Sequence, residues 1–421
     1  MRKRGLVVGL GVAGMSAAIG LRQAGWTPVI VERAPQRRTG GYFVGLMPEG
    51  KRAAVDLGIA EYLHTRNPPE GGKAWSLTRR GNRVPGVGFL HQRGDPAAVV
   101  RGDIEAALWR STCGDAAGEP IDVRFATTPV EIDDTGSDVR VLFEEAGTGA
   151  QYREHFDLVV GADGLRSRVR RMVFGPHEDY MTKWDAMVCV FPLQDQVPSF
   201  AATDSIISAR AGRAVWVFGF ADRPPTVLLT YRTEDTRRES TGSTIERLRT
   251  VFSDMDDPAV RHTLAALEET PDYLFDSVHQ VKKPRWSHGR VALSGDAAWC
   301  PNLYSGMGAT AALRGGAELG RALLQSPDDP RYRPDHLGST VAPAHQEAPA
   351  SRTVEAADVR AVEPSRRGTS LGDPAPRGAQ RASEGWRRLA PGHRRGNREC
   401  IGRRRCIHHS VPGDELIVAG V

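Results

Sequence analysis

Three short stretches of the chain carry residue types at spacings that could do chemistry. In GLGVAG, Gly9, Gly11 and Gly14 stand in a GxGxxG register after an apolar run and at the start of a helical pattern, with Ala13 among the contacting residues. Gly9 permits a tight turn, Gly11 lets a pyrophosphate approach the backbone, and Gly14 lets the helix pack close to the strand. The first amides of that helix then face the phosphates. Glu32 follows 18 residues past Gly14, at the end of the next β-branched run, with Arg33 beside it. A carboxylate there can accept hydrogen bonds from ribose hydroxyls.

The second stretch, FDLVVGADGLRSRVRR, ends an apolar run on Asp163 and Gly164, followed by Ser167 and Arg170. The third, GRVALSGDAAWCPNLYSGMGATAAL, ends another run on Gly295 and Asp296, and about ten residues later Gly306, Met307 and Gly308 open a helix. Side chains in this stretch are few and small, so something other than protein is expected to fill the space. GxGxxG alone does not separate FAD from NAD. Two further strand ends that each deliver an aspartate beside small residues imply a ligand much longer than one nucleotide, crossing the carboxyl edge of a sheet.

These stretches need elements to position them. Residues 5 to 32 read strand, helix, strand, with Gly25 ending the helix. MPEGKRAAVDLGI predicts a helix that stops at Gly58, and VVRGDIEAALWRS a strand running into a helix with Asp103 as N-cap. Arg101 then lies within a turn of that helix start, where an anion is favoured, the plainer alternative being a surface ion pair. IDVRFATTPVEI and SDVRVLFEE alternate like a hairpin before FDLVVGADG returns to a buried strand. DAMVCVFPL, RAVWVFGFA and TVLLTYR, with a helix at STIERLRTVF, predict a second, largely antiparallel sheet, after which VHQVKKPRWSHGRVALSGD re-enters the first domain. Trp216, Phe218 and Phe220 share one face of that sheet, either as a wall receiving a flat substrate or as core against a helix.

Composition narrows the class. The 421 residues are 40% apolar, with no run of 18 apolar residues, so no membrane span is expected and the chain reads as cytoplasmic. Cys113, Cys189, Cys300, Cys400 and Cys406 are odd in number and lack zinc-like or redox-pair spacing, which predicts reduced thiols. The 12 histidines show no metal-ligand pattern, so no metal is expected. Net charge is +5, but residues 331 to 421 hold 16 Arg, no Lys and 10 acidic residues, which leaves −1 for the rest. That tail has no Phe and no helical or strand period, and reads as disordered or as an out-of-frame translation. Its acidic residues and lack of interleaved aromatics argue against a nucleic-acid arm.

The motifs GLGVAG with Glu32, GADGLRS, and GDAA with the downstream GMG occur together and in this order over about residues 5 to 325. In this the chain resembles the class A flavoprotein monooxygenases, the para-hydroxybenzoate hydroxylase-like family of aromatic hydroxylases. The resemblance implies an α/β fold: a Rossmann-like FAD-binding βαβ domain (1–175 and a return segment 276–330) with an inserted, largely antiparallel β-sheet substrate domain (176–275); the irregular C-terminal tail (331–421) departs from the family, which continues past the GD helix with more packed helices. It implies that Asp296 bonds a hydroxyl of the FAD chain, that Asp163 and Gly164 serve FAD and a passing nicotinamide, and that Arg101 lies beside the flavin's phosphate or ribityl portion. The helix at Gly306, Met307 and Gly308 would aim free amides at the edge of the flavin ring where negative charge gathers.

The implied activity is hydroxylation of a phenolic or polycyclic, polyketide-like aromatic compound, with FAD, NADH or NADPH, and O2, through a flavin hydroperoxide. No catalytic acid or base is assigned. The alternatives are another flavin-dependent reaction on the same scaffold, or a degenerate flavoprotein without hydroxylase activity. Two positions depart from the family: Leu303 stands where relatives commonly carry a proline, with Pro301 two residues earlier, and Trp299 stands where many carry histidine or tyrosine.

Overall fold

A computed structural model describes residues 2–69, 72–92, 94–114 and 119–325. The predicted strand, helix, strand unit forms from Arg4–Val8, Val12–Gln23 and Thr27–Val31. These strands read as near-continuous apolar runs because both faces of a parallel sheet are covered. The central sheet has six strands in the order Ser287–His288, Val291–Leu293, Leu158–Gly161, Arg4–Val8, Thr27–Val31, Asp122–Arg124. All neighbours are parallel except the edge strand Ser287–His288. The ends that carry Gly9, Asp163 and Asp296 therefore lie along one edge.

The alternating stretch after residue 120 forms the expected antiparallel pair, Thr127–Asp134 with Val139–Glu145, but its first residues lie outside it. Asp122–Arg124 joins the parallel sheet, Ala126 turns the chain at φ 51°, and Thr127–Asp134, Val139–Glu145 and Gln151–Phe156 make a separate three-stranded antiparallel sheet. Alternation cannot tell an edge strand of one sheet from a strand of the next. The helix Arg101–Thr112 starts from Val100, and Asp103 is not its N-cap. The Asp103 carboxylate instead reaches back from the third helical position to accept from the Val100 amide at 3.1 Å, the second of the two places where an acidic residue closes a helix start.

The second sheet has seven strands in the order Leu274–Val281, Met181–Pro192, Thr226–Arg232, Arg213–Phe218, Ser205–Arg210, Ala74–Leu77, Arg83–Pro85. It draws two strands from well before residue 176, and one of them, Ala74–Leu77, pairs parallel with Ser205–Arg210. Side-chain alternation gives it two apolar faces. Met187, Cys189, Phe191, Val215 and Val217 pack on the helices Thr244–Val251 and Pro258–Glu269. Val188, Val190, Trp216, Phe218 and Leu228 pack on Phe43, Phe89, Leu303 and Tyr304. On this face Phe218 stacks on Phe43 with ring centroids 4.3 Å apart, as core, and Trp216 meets Tyr304 in the short 3-10 helix Leu303–Ser305 after Asp296.

Burial pushes the Cys189 thiol up to about 12, and Cys300 is raised by burial and by the Asp296 carboxylate beside it. Because the thiolate is the nucleophile, iodoacetamide at pH 8 is expected to leave both residues unlabelled in the folded chain and to label them in urea, as read by peptide mass spectrometry. Labelling of the folded chain at a free-thiol rate would contradict this.

Glycines hold the last helix, Gly308–Gln325, against Val12–Gln23. A Cβ on Gly20 would sit 2.2 Å from the Gly316 carbonyl oxygen, one on Gly316 2.3 Å from the Ser16 carbonyl carbon, and one on Gly320 2.7 Å from the Gly20 oxygen. Ser16 and Gly20, like Gly316 and Gly320, are four apart and so share a helix face. Among the described residues no helix is long and apolar enough to cross a membrane. The tail from residue 331 lies outside the described residues.

Candidate functional site

The three motif turns touch one another. Gly9 has φ 108°, and a Cβ there would lie 2.6 Å from the Ala162 oxygen and 3.1 Å from the Asp163 Cα. A Cβ on Gly14 would lie 1.9 Å from the Gly9 oxygen, and one on Gly295 2.4 Å from the Ala13 Cβ. Each glycine therefore marks a close approach that no side chain would permit. Gly9, Gly11, Glu32, Arg33, Arg101, Asp163 and Gly164 line one cleft along the strand ends.

Within that cleft the Glu32 carboxylate accepts from the Leu10 and Ala34 amides, each at 2.9 Å. These bonds aim it at the turn and leave lone pairs for other donors. Arg101 reaches across to Gly11, with Nη2 3.7 Å from where a Cβ would be. Its Nε donates to Glu105 at 3.0 Å, so the sequence alternative of an ion pair is also present. Burial pulls the Arg101 pKa down, but Glu105, Tyr42 and Asp296 outweigh it and raise it overall, so the group stays cationic. Tyr42, which no sequence motif marks, shares a hydrogen bond with Arg101. Arg37, Arg38, Arg166 and Arg168 also line the cleft. Their only signal in the sequence is the local density of arginine.

Asp163 lines the cleft, and its carboxylate already has partners within the protein. It accepts from the Ser167 hydroxyl at 2.5 Å and from the Arg168 and Val169 amides at 2.6 and 3.1 Å, and so closes the start of the helix Arg168–Val173. What this turn presents to the cleft is Gly164, at φ 82° with nothing within 4 Å of where a Cβ would be. Arg170 is fully buried and donates to the Leu165 and Ala297 carbonyl oxygens at 2.7 and 2.8 Å. It thereby ties the second motif loop to the third.

Beyond Gly295 (φ 60°) the short helix Asp296–Trp299 begins. Asp296 is exposed, yet neighbouring protein crowds its carboxyl closely. Burial raises its carboxyl above the usual aspartate range and the Arg101 cation only partly opposes that. Trp299 points away into core, with its ring 4.9 Å from that of Trp286. Asn302 turns the chain at φ 74° and its side chain accepts from the Ser305 amide at 3.1 Å, while Leu303 packs on the second sheet. Gly306 is left-handed at φ 60°, and the Met307 amide donates to the Ser305 hydroxyl at 3.2 Å.

The helix then starts at Gly308, whose first amides lack intrahelical acceptors. A Cβ on Gly308 would meet nothing within 4 Å. An N-terminus of free amides beside a side-chain-free space could take the edge of a flat, electron-accepting ring. The residues present fit FAD: the cleft glycines and Arg101 would suit its phosphate portion and Glu32 a ribose, while Asp296 and Gly308 would suit a linker hydroxyl and the ring.

Comparison with known proteins agrees with this geometry. Residues 3–327 match the family model described as FAD binding domain. A flavin-dependent monooxygenase from Legionella longbeachae is 27% identical over 313 residues, 72% of this chain and 76% of its own length. A second, from an unknown prokaryotic organism, is 25% identical over 342 residues, covering 77% and 81%. Among solved structures, tetracycline destructase Tet(51) has a TM-score of 0.63 at 25% identity, covering 81% of this chain and 87% of that one. Klebsiella pneumoniae HpxO complexed with FAD and uric acid has a TM-score of 0.64 at 20% identity, covering 80% and 86%, a likeness of fold. The chain belongs to the FAD binding domain family and is an FAD-dependent monooxygenase.

Proposed function

We propose that this protein hydroxylates a phenolic or polycyclic aromatic small molecule, with NADH or NADPH and O2 as co-substrates. The observation that carries the reading is the partly buried Trp216 on one face of the second sheet. It packs toward Leu303 and Tyr304, in the loop that leads into Gly308, so an aromatic surface adjoins the space for a flat ring. Two solved neighbours lend support, since one is named for tetracycline and another holds uric acid, both fused-ring compounds.

FAD, when bound, supplies electron exchange with the nicotinamide and activation of O2. The chain's own groups bind and orient. The amides after Gly11 and the Arg101 guanidinium would hold the pyrophosphate, and the Asp296 carboxylate would accept from a hydroxyl of the linker. The first amides of Gly308–Gln325 favour negative charge at the ring edge, and the apolar face of the second sheet keeps water from the reacting carbon.

The test is NADH and NADPH oxidation by the FAD-loaded full chain across phenols and polyketides under labelled O2. Substrate-stimulated oxidation with one labelled oxygen in the product is expected. Oxidation that yields only hydrogen peroxide with every aromatic offered would overturn the proposal.

A further inference from the structure

Strand Met181–Pro192 breaks its pairing at one place. Lys183 pairs with His279 and Met187 with Ser277, so this strand carries two more residues across the gap than its neighbour does. Within the bulge Asp185 has φ 47°, a region that residues other than glycine rarely occupy. The bulge is pinned on its other side, where the Thr233 amide donates to the Asp185 carbonyl oxygen at 2.9 Å. A bulge re-aims a side chain, and a rare backbone conformation persists only where the surroundings hold it.

The side chain re-aimed here is Trp184. It lies half-buried with its ring centroid 6.3 Å from that of Tyr304 at an interplanar angle of 52°. Trp216 approaches Tyr304 at 6.4 Å and 64°. The Tyr304 hydroxyl is held 2.8 Å from Thr230 Oγ1, so the central ring is fixed. Trp184 and Trp216 each touch Tyr304 but not one another among the ring contacts of the described residues, so the aromatic patch is wider than one ring. Trp216 Nε1 has no hydrogen-bond partner within the protein. The carboxylate on this face, Asp276, is engaged by both Nη atoms of Arg166 at 2.8 and 2.6 Å.

We propose that Trp184, presented by the bulge at Asp185, is a specificity-determining residue that favours planar multi-ring aromatics over single-ring ones. This rests on the aromatic-hydroxylation reading above. Because the rings are inclined at 52° and 64°, a multi-ring compound stacked on one of them can also meet the edges of the others, whereas a single ring reaches fewer of them. Each added aromatic contact contributes up to about a ten-fold gain in affinity.

The test uses the FAD-loaded full chain, with binding of 1,8-dihydroxyanthraquinone and of 4-hydroxybenzoate followed by quenching of protein fluorescence. Wild type should bind the anthraquinone more tightly. Trp184→Ala should weaken anthraquinone binding about ten-fold, with 4-hydroxybenzoate, FAD affinity and Tm unchanged, and Trp184→Phe should largely restore it. Asp185→Gly, which accepts positive φ, should leave binding intact, and Asp185→Val should weaken it without removing a ring. An unchanged preference in Trp184→Ala, or a parallel fall in FAD affinity and Tm, overturns the proposal. If single-ring phenols are hydroxylated and multi-ring ones neither bind nor react, the selectivity fails while the reading of the reaction stands. If no aromatic is hydroxylated, both fail.

Discussion

Gly316→Leu is expected to lose bound FAD and cooperative thermal unfolding together. A Cβ at this position would lie 2.3 Å from the Ser16 carbonyl carbon and 2.5 Å from its oxygen, both backbone atoms of a packed helix that cannot turn aside. The two helices must separate, and overpacking of this kind costs about 1–3 kcal/mol or more against a total stability of roughly 5–15 kcal/mol. Separation also moves Gly308, because the same helix carries it. Gly316→Ala should show much of the loss, since the collision is made by the Cβ itself. The measurements are the flavin to protein absorbance ratio after purification and the melting curve. A Gly316→Leu variant with normal flavin content and Tm would remove the glycine contact from the account of how the ring site is placed.

The second large effect is expected at Asp296, where stability and cofactor binding should move in opposite directions. Burial raises its carboxyl above the unfolded value, so between the unfolded and folded pKa the folded chain binds more protons than the unfolded one. Stability of the cofactor-free protein therefore falls as pH rises through that window, because the charged form is disfavoured in the fold. Asp296→Asn carries no such charge, and its cofactor-free form should melt higher at pH 7 to 8 and lose this part of the pH dependence. The same variant gives up a charged acceptor for a hydroxyl, which contributes about 1.5–3 kcal/mol, or roughly a 10- to 100-fold loss of FAD affinity. Melting curves with and without FAD, alongside FAD titration, check both halves. A lower melting point without FAD, or unchanged FAD affinity, would show that Asp296 is held by groups other than the cofactor.

Much of the architecture was legible because parallel strands and their turns impose strong local demands. The run into Gly9, the helix after it and the strand ending at Glu32 are required by one another, and the structure places them as the spacing implies. The second sheet was visible as strands but not as a membership. Ala74–Leu77 and Arg83–Pro85 are short and lie far from the rest of that sheet in sequence, so only the tertiary register reveals that they extend it. The roles of individual carboxylates were less legible still. In sequence Asp163 reads as a ligand group and Asp103 as an N-cap, but which donors reach them depends on where Ser167, the Arg168 amide and the Val100 amide fall in space.

The residue order alone determined that three glycine-bearing strand ends must accept a long dinucleotide, because turn geometry and the absence of side chains are local properties. The folded chain decided how those ends meet, which carboxylates remain for a ligand, and where the aromatic face is aimed. Each of these depends on close approaches, such as Gly295 on Ala13 and Gly316 on Ser16, between segments that lie far apart along the chain. Small residues four apart mark such a helix face but not its partner, since only the completed packing brings the two segments together.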